Sequence, residues 1–212
     1  MKSICKTTLL AATLITLVSS LSFAKKAKNN EKKEAAPTAE VIINTLEGQV
    51  KWTGYGVGKS HGGTLQIKSG EIKLVDDVAT QLSFVVDMKS LTSPDSEKLV
   101  GHLKNSDFFD VEKFSEGIFK STEIKLIKQA KANGSNYSIK GDLTIKGKTN
   151  PIEFTASISH EGKKYMGLAE FEIADRTKYD IVYNSDKFLT VSKLGDKLIK
   201  NNIALQVSIT TK

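Results

Sequence analysis

Between Val50 and Ile209, apolar side chains recur at every second position, and this spacing constrains the fold more than any other feature of the chain. Val50 and Trp52 alternate with Gln49 and Lys51. Leu65 and Ile67, then Ile72 and Leu74, repeat the pattern. From Thr80 to Met88 the residues Leu82, Phe84, Val86 and Met88 share one face, opposite Gln81, Ser83 and Asp87. Ile124 and Leu126 alternate with charges, and Tyr137, Ile139, Gly141, Leu143 and Ile145 oppose Ser138, Lys140, Asp142 and Thr144. Ile152, Phe154, Ala156 and Ile158 continue the series, followed by Tyr165, Ala169, Phe171 and Ile173. Ile203, Leu205, Val207 and Ile209 close it. A strand that is apolar on one face and polar on the other lies between a core and water. The chain is therefore all-β, with about eight strands. A closed antiparallel barrel and a two-sheet sandwich both satisfy the periodicity.

Turn residues separate the runs. Ser69-Gly70, Asn133-Gly134-Ser135-Asn136, Lys146-Gly147-Lys148 and Glu161-Gly162-Lys163 are read as turns or loops, the last two as short hairpins. Asn133-Gly134-Ser135 also matches a glycosylation sequon, and a turn is the simpler account. One stretch breaks the alternation. Ser93 is a candidate helix cap, Pro94 fits a first turn, and Asp95 and Glu97 suit the positive end of a short helix. Leu99, Val100 and Leu103 form its apolar face. Phe108 and Phe109 follow between Asp107 and Asp110, and their rings are expected to pack across one end of the barrel.

The N-terminal residues read as an address. Lys2 and Lys6 precede an apolar stretch from Leu9 to Val18, too short for a membrane span. Ser22 and Ala24 are the small residues of a cleavage site after Ala24, so residues 1–24 are an expected signal peptide and the protein an expected periplasmic one. Cys5, the single cysteine, lies before the apolar stretch, which leaves the mature chain without disulfides. Residues 25–40, rich in Lys, Glu and Ala, lack an apolar stripe and are expected to be a disordered tether, with the folded domain spanning 41–212. The net charge is +7. The signal segment carries +2 of it and the tether another +2, leaving +3 for the domain. A mixed surface of that kind is not a nucleic-acid footprint.

The order of short motifs along the domain resembles the YceI-like family. Trp52 and Gly54 form Trp-x-Gly, His61 and Gly63 form His-x-Gly, and Asp87, Met88 and Ser90 form Asp-Met-x-Ser. Gly101 to Lys104, Asp107 to Asp110, and Gly141 to Gly147 continue the match. Asp175-Arg176-Thr177, Ile181 with Tyr183, and Leu194 to Lys197 complete it. The resemblance implies an eight-stranded antiparallel lipocalin-like barrel with one or two short helices. It also implies an elongated apolar channel for an isoprenoid or other long-chain lipid. The chain departs from many relatives at Tyr179-Asp180, where a Phe-Gly-like step is usual. Asp180 places a Cβ and a charge at the glycine position, which bears on the shape of that loop.

Candidate binding residues follow. Phe84, Val86, Met88, Leu143, Ile145, Phe154, Phe171 and Ile173 are placed to line a channel, or to fill a solid core. Trp52, Leu103, Phe108, Phe109 and Tyr183 belong to the family-like motifs around one end. His61 and His102 are candidates for hydrogen bonds that fix the loop and helix at the mouth, for contact with a ligand head group, or for acid–base groups of an enzyme. None of His61, His102 and His160 is at metal-ligand spacing to another, so no metal is expected. Asp175-Arg176 is either a structural ion pair or an anchor for a polar head. The chain has no nucleophile elbow or Gly-rich phosphate loop, and the Asp76-Asp77 pair sits in an expected turn. The reading is thus a binding protein without cofactor or catalytic residues. The alternative is a protein-interaction module with a filled barrel. The partners in view are a long-chain lipid, a transient contact with a membrane surface and a second copy in a homodimer.

Overall fold

The alternating strands close on themselves. A computed structural model describes residues 39–212, so the expected signal peptide and nearly all of the expected tether lie outside the described residues. Among the described residues there are nine strands: β1 (Glu40–Ile43), β2 (Leu46–Gly56), β3 (Ser60–Val75), β4 (Val78–Thr92), β5 (Glu116–Leu126), β6 (Tyr137–Ile145), β7 (Lys148–Glu161), β8 (Lys164–Ile173) and β9 (Ile199–Thr211). From β2 to β9 each strand pairs antiparallel with the next, and β9 returns to pair with β2 along Leu46–Gly56. This is a closed, eight-stranded, up-and-down barrel, in which each of the eight strands has a neighbour on both sides. The extra strand, β1, adds to β3 with Glu40 opposite Val75. Glu40, read from composition as the end of the tether, therefore opens the fold.

A meander of this kind sorts its connections between two ends. The turns β3–β4, β5–β6 and β7–β8 lie at one end, here the closed end. Asp76 and Asp77 make the first of these with φ of 50° and 62°, the left-handed pair that matches strand twist in a two-residue hairpin. The connections β2–β3, β4–β5, β6–β7 and β8–β9 lie at the other end, the mouth. Two of them are long, residues 93–115 and 174–198.

Ser69-Gly70 is not a turn. Both residues lie within the 16-residue β3, at a register shift between Ile67 and Ser69 against β4. A Cβ on Gly70 would stand 2.9 Å from the Ser83 carbonyl oxygen and 3.0 Å from Leu46. The glycine thus marks a bulge where another chain segment approaches closely, and not a reversal.

The helix starts later than its sequence indicates. α1 covers Glu97–Lys104, and its cap is Ser96, whose hydroxyl accepts from the Leu99 N–H at 3.1 Å. Ser93 instead donates to the Gly62 carbonyl at 2.7 Å. Ser93 is taken up by Gly62 and the Asp95 carboxylate by His61, and Ser96 is the next capping side chain, whose oxygen reaches the first turn. A second helix, α2 (Val191–Leu194), and two single 3₁₀ turns (Arg176–Tyr179 and Gly195–Lys197) lie in the long β8–β9 connection. At Asp180 the backbone keeps the left-handed conformation, φ 60°, which a glycine would take without strain. Lys146 Nζ supports that conformation by donating to the Asp180 carbonyl at 2.9 Å.

Candidate functional site: a cavity at the barrel mouth

The inner faces enclose a cavity of about 460 Å³ that opens at the mouth. Its walls are apolar side chains at alternate strand positions: Val86 and Met88 from β4, Leu143 and Ile145 from β6, and Ile173 from β8. Val50, Leu65, Ile152, Ile203, Leu205 and Val207 complete them. Trp52 also lines the cavity, and its buried indole N–H has no hydrogen-bond partner among the described residues.

Aromatic rings form the floor. Phe84 lies 5.2 Å from Phe119, Phe119 lies 5.5 Å from Phe154, and Phe154 stacks on Phe171 at 4.4 Å with only 12° between planes. Phe84, Phe119 and Phe171 face the cavity. Phe119 fits because residue 141 has no side chain: a Cβ there would stand 2.5 Å from its ring. Phe154, expected in the channel wall, does not line this cavity. It pairs with Ile139, which is fully buried, on the closed-end side of the floor. There only about 20 Å³ of space remains, among Leu82, Ile139, Phe154 and Ile158. Alternation shows that Phe154 points inward; its height along the barrel comes from register. The interior is therefore filled at the closed end and hollow at the mouth.

The helix segment forms a partial cover. β4 runs on to Thr92, whereas its pairing with β5 stops at Asp87 opposite Glu116. Residues 93–115 span the resulting gap, and Leu99, Leu103, Phe108 and Phe109 turn toward the cavity. His102 joins this cover to the opposite loop. Its ring meets Phe108 edge-on at 5.1 Å and Tyr183 edge-on at 4.8 Å, and its Nε2 lies 3.2 Å from an Asp107 carboxylate oxygen. His61 performs a similar tie at the start of β3, with Nδ1 2.8 Å from Asp95 Oδ2. That hydrogen bond holds the Asp95 carboxyl below the usual carboxylate range. Both histidines border the cavity, each with a single carboxylate partner. His160 stands apart, stacked on Tyr165 near the closed end.

Arg176 has a structural part. It is almost fully buried, and its guanidinium donates to four backbone carbonyls: Ile181 (2.6 Å), Tyr183 (2.8 Å), Ile199 (3.0 Å) and Lys200 (3.1 Å). The planar fork pins the 181–183 loop to the start of β9 and so shapes one side of the mouth. With most of its N–H groups engaged, it has little left for a head group. Burial pushes its pKa down to about 10, which keeps it charged at neutral pH. The neighbouring acid does not pair with it. Asp175 binds Lys187 at 2.5 Å and caps Thr177, and these contacts outweigh burial to hold its carboxyl low.

The remaining polar rim comes from strand ends and connections at the mouth. Tyr55, Lys59, Asn184, Asp196, Lys197 and Lys200 border the opening. No periodic signal marks these residues in the sequence. Phe119 was legible only in part, because Gly117 and the flanking charges obscure the alternation of β5.

Comparison with known proteins agrees with this architecture. The YceI-like domain model matches residues 33–211. A UPF0312 protein of Photorhabdus laumondii is 38% identical over 79 residues, covering 36% of this chain and 38% of that protein. A UPF0312 protein of Vibrio cholerae is 35% identical over 96 residues, covering 45% and 48%. The chain thus aligns with less than half the length of these curated relatives. BcnA of Burkholderia cenocepacia superposes with a TM-score of 0.58 at 16% identity, over 78% of this chain and 96% of that one. A polyisoprenoid binding domain of Saccharophagus degradans gives 0.57 at 11% identity, over 83% and 99%. With the domain model spanning nearly the whole barrel, the chain belongs to the YceI-like family.

Proposed function

We propose that this protein binds and carries a long-chain apolar lipid, a polyisoprenoid such as a quinone or prenyl lipid, in the periplasm. The observation that carries this reading is the cavity: about 460 Å³, apolar on walls and floor, polar only at its rim. That volume lies in the ordinary range for small-molecule sites. An apolar tail suits the depth, and a polar head suits the rim. Each buried methylene contributes on the order of 0.8 kcal/mol, so roughly ten of them supply ~8 kcal/mol before the costs of ordering the chain. The fold shared with a polyisoprenoid binding domain supports the same ligand class. Binding of this kind needs no chemical step.

Trp52 supplies the test. It is the single tryptophan of the chain and lines the cavity. Titration with a polyprenol is expected to shift its emission and to saturate at one ligand per chain. An emission spectrum unchanged by polyprenols, quinones and fatty amides alike would remove the lipid reading.

A further inference from the structure

We propose that the rim of the barrel mouth is a docking surface for an anionic lipid bilayer. Two connections at this end carry large apolar side chains into solvent. Val57, at the tip of the β2–β3 hairpin, is 50% exposed, and Phe188, Leu189 and Val191, in the β8–β9 connection, are 61%, 45% and 62% exposed. Folding does not use them, so their burial remains available to a partner. Tyr183, 36% exposed, belongs to the same β8–β9 connection, whereas Leu126 and Met166 lie on strands away from the mouth.

The protruding segment is held from both sides. The Ile199 N–H donates to the Asn184 carbonyl at 3.0 Å, and Arg176 clamps the carbonyls of Tyr183 and Ile199. Leu194 is buried and anchors α2. The tips therefore stand on a fixed base beside the opening.

Charge selects the partner. Lys59, Lys193, Lys197 and Lys200 accompany these apolar tips, and none forms an ion pair among the described residues. Asp186 and Asp196 offset them only in part, and Lys187 is already paired with Asp175. A second copy docked on this face would bring two lysine rims together. An anionic membrane surface accepts the lysines at its head groups and the aromatic and aliphatic tips at the acyl boundary. The cavity opens beside those tips, at Gly56, Lys59 and Asn184, so docking would bring the apolar interior of the barrel to the bilayer surface. Docking of this outer surface does not depend on what the cavity holds.

The test is flotation of the full chain with vesicles of phosphatidylcholine alone and of phosphatidylcholine mixed with phosphatidylglycerol. Binding to the anionic vesicles is expected to be at least ~10-fold tighter and to weaken with salt. Phe188→Ser combined with Val191→Ser should lower it by about tenfold, and Lys193→Ser combined with Lys197→Ser by about twentyfold. Leu126→Ser removes an equally exposed side chain at the closed end and should leave binding unchanged. All variants keep the same N-terminal residues, so their differences report the rim alone. Equal binding of wild type and both rim variants would overturn the proposal, as would a loss of equal size in Leu126→Ser. A dimer dissolved by the Phe188 and Val191 changes, without vesicle binding, would assign the face to a second copy instead.

Discussion

The two ends of the barrel are built from the same eight alternating strands, yet one is filled and the other hollow. At the closed end, Ile72, Leu74, Phe119 and Ile139 are each 1% exposed or less, and two-residue turns join β3 to β4 and β7 to β8. Tyr165 donates to Asp77 across this end at 2.7 Å, so the Asp76-Asp77 turn is tied to the barrel and not merely solvated. At the mouth two of the connections are long, and their side chains line an opening. Alternation decides which side chains point inward. Side-chain size at each level, and what spans the ends, decide whether the interior is solid or a site.

Removing the floor is expected to break this contrast most strongly. Phe119→Ala should cost ~3–5 kcal/mol in denaturant unfolding, because Gly141 beneath it offers no side chain to fill the space. The folded fraction should accept longer tails, as read by Trp52 emission. Arg176→Met ranks next. It leaves four carbonyls without their donor, and a loss of ~3 kcal/mol is expected, together with faster hydrogen exchange at Tyr183 and Ile199.

Tyr165→Phe probes the closed end more gently, at about 1 kcal/mol near neutral pH. The hydrogen bond to Asp77, followed by burial, pushes the Tyr165 pKa up to about 12, and burial alone does the same for Tyr179. An acid whose folded pKa is raised keeps its proton in the folded state after the unfolded chain has lost it. Stability is therefore complete below about pH 10 and declines as pH rises toward about 12. The variant should show a shallower alkaline decline in equilibrium unfolding.

Filling the mouth should disturb stability least. Val86→Phe adds volume into open space, so a change below ~1 kcal/mol is expected, while lipid uptake measured by Trp52 emission is lost. A large loss of stability would mean that the mouth half is packed as tightly as the other.

Much of the barrel was legible in the sequence because a period of two leaves a mark at every strand. Phe84, Val86, Met88, Leu143, Ile145, Phe171 and Ile173 were placed on the inner face by that mark, and all border the cavity. Closure was not legible in the same way. The pairing of β2 with β9 joins residues far apart in the chain, and the alternation alone is equally compatible with a sandwich. Depth was not legible either, which is why Phe154 falls below the floor while Ile152, two residues earlier and opposite Gly141, borders the cavity. The role of Arg176 depended on carbonyls from two segments, Ile181–Tyr183 and Ile199–Lys200, brought together only by the fold. The lysine rim is gathered from the β2–β3 connection, the β8–β9 connection and the start of β9, and no single periodic pattern links these residues.

The most direct measurement is native mass spectrometry of the protein purified from a cell-envelope fraction, with organic extraction of the same sample. A lipid carrier should give a one-to-one adduct that extraction identifies as a prenyl or other long-chain lipid, and that Val86→Phe abolishes. A bare mass for the wild type that persists after incubation with quinones and polyprenols would contradict it.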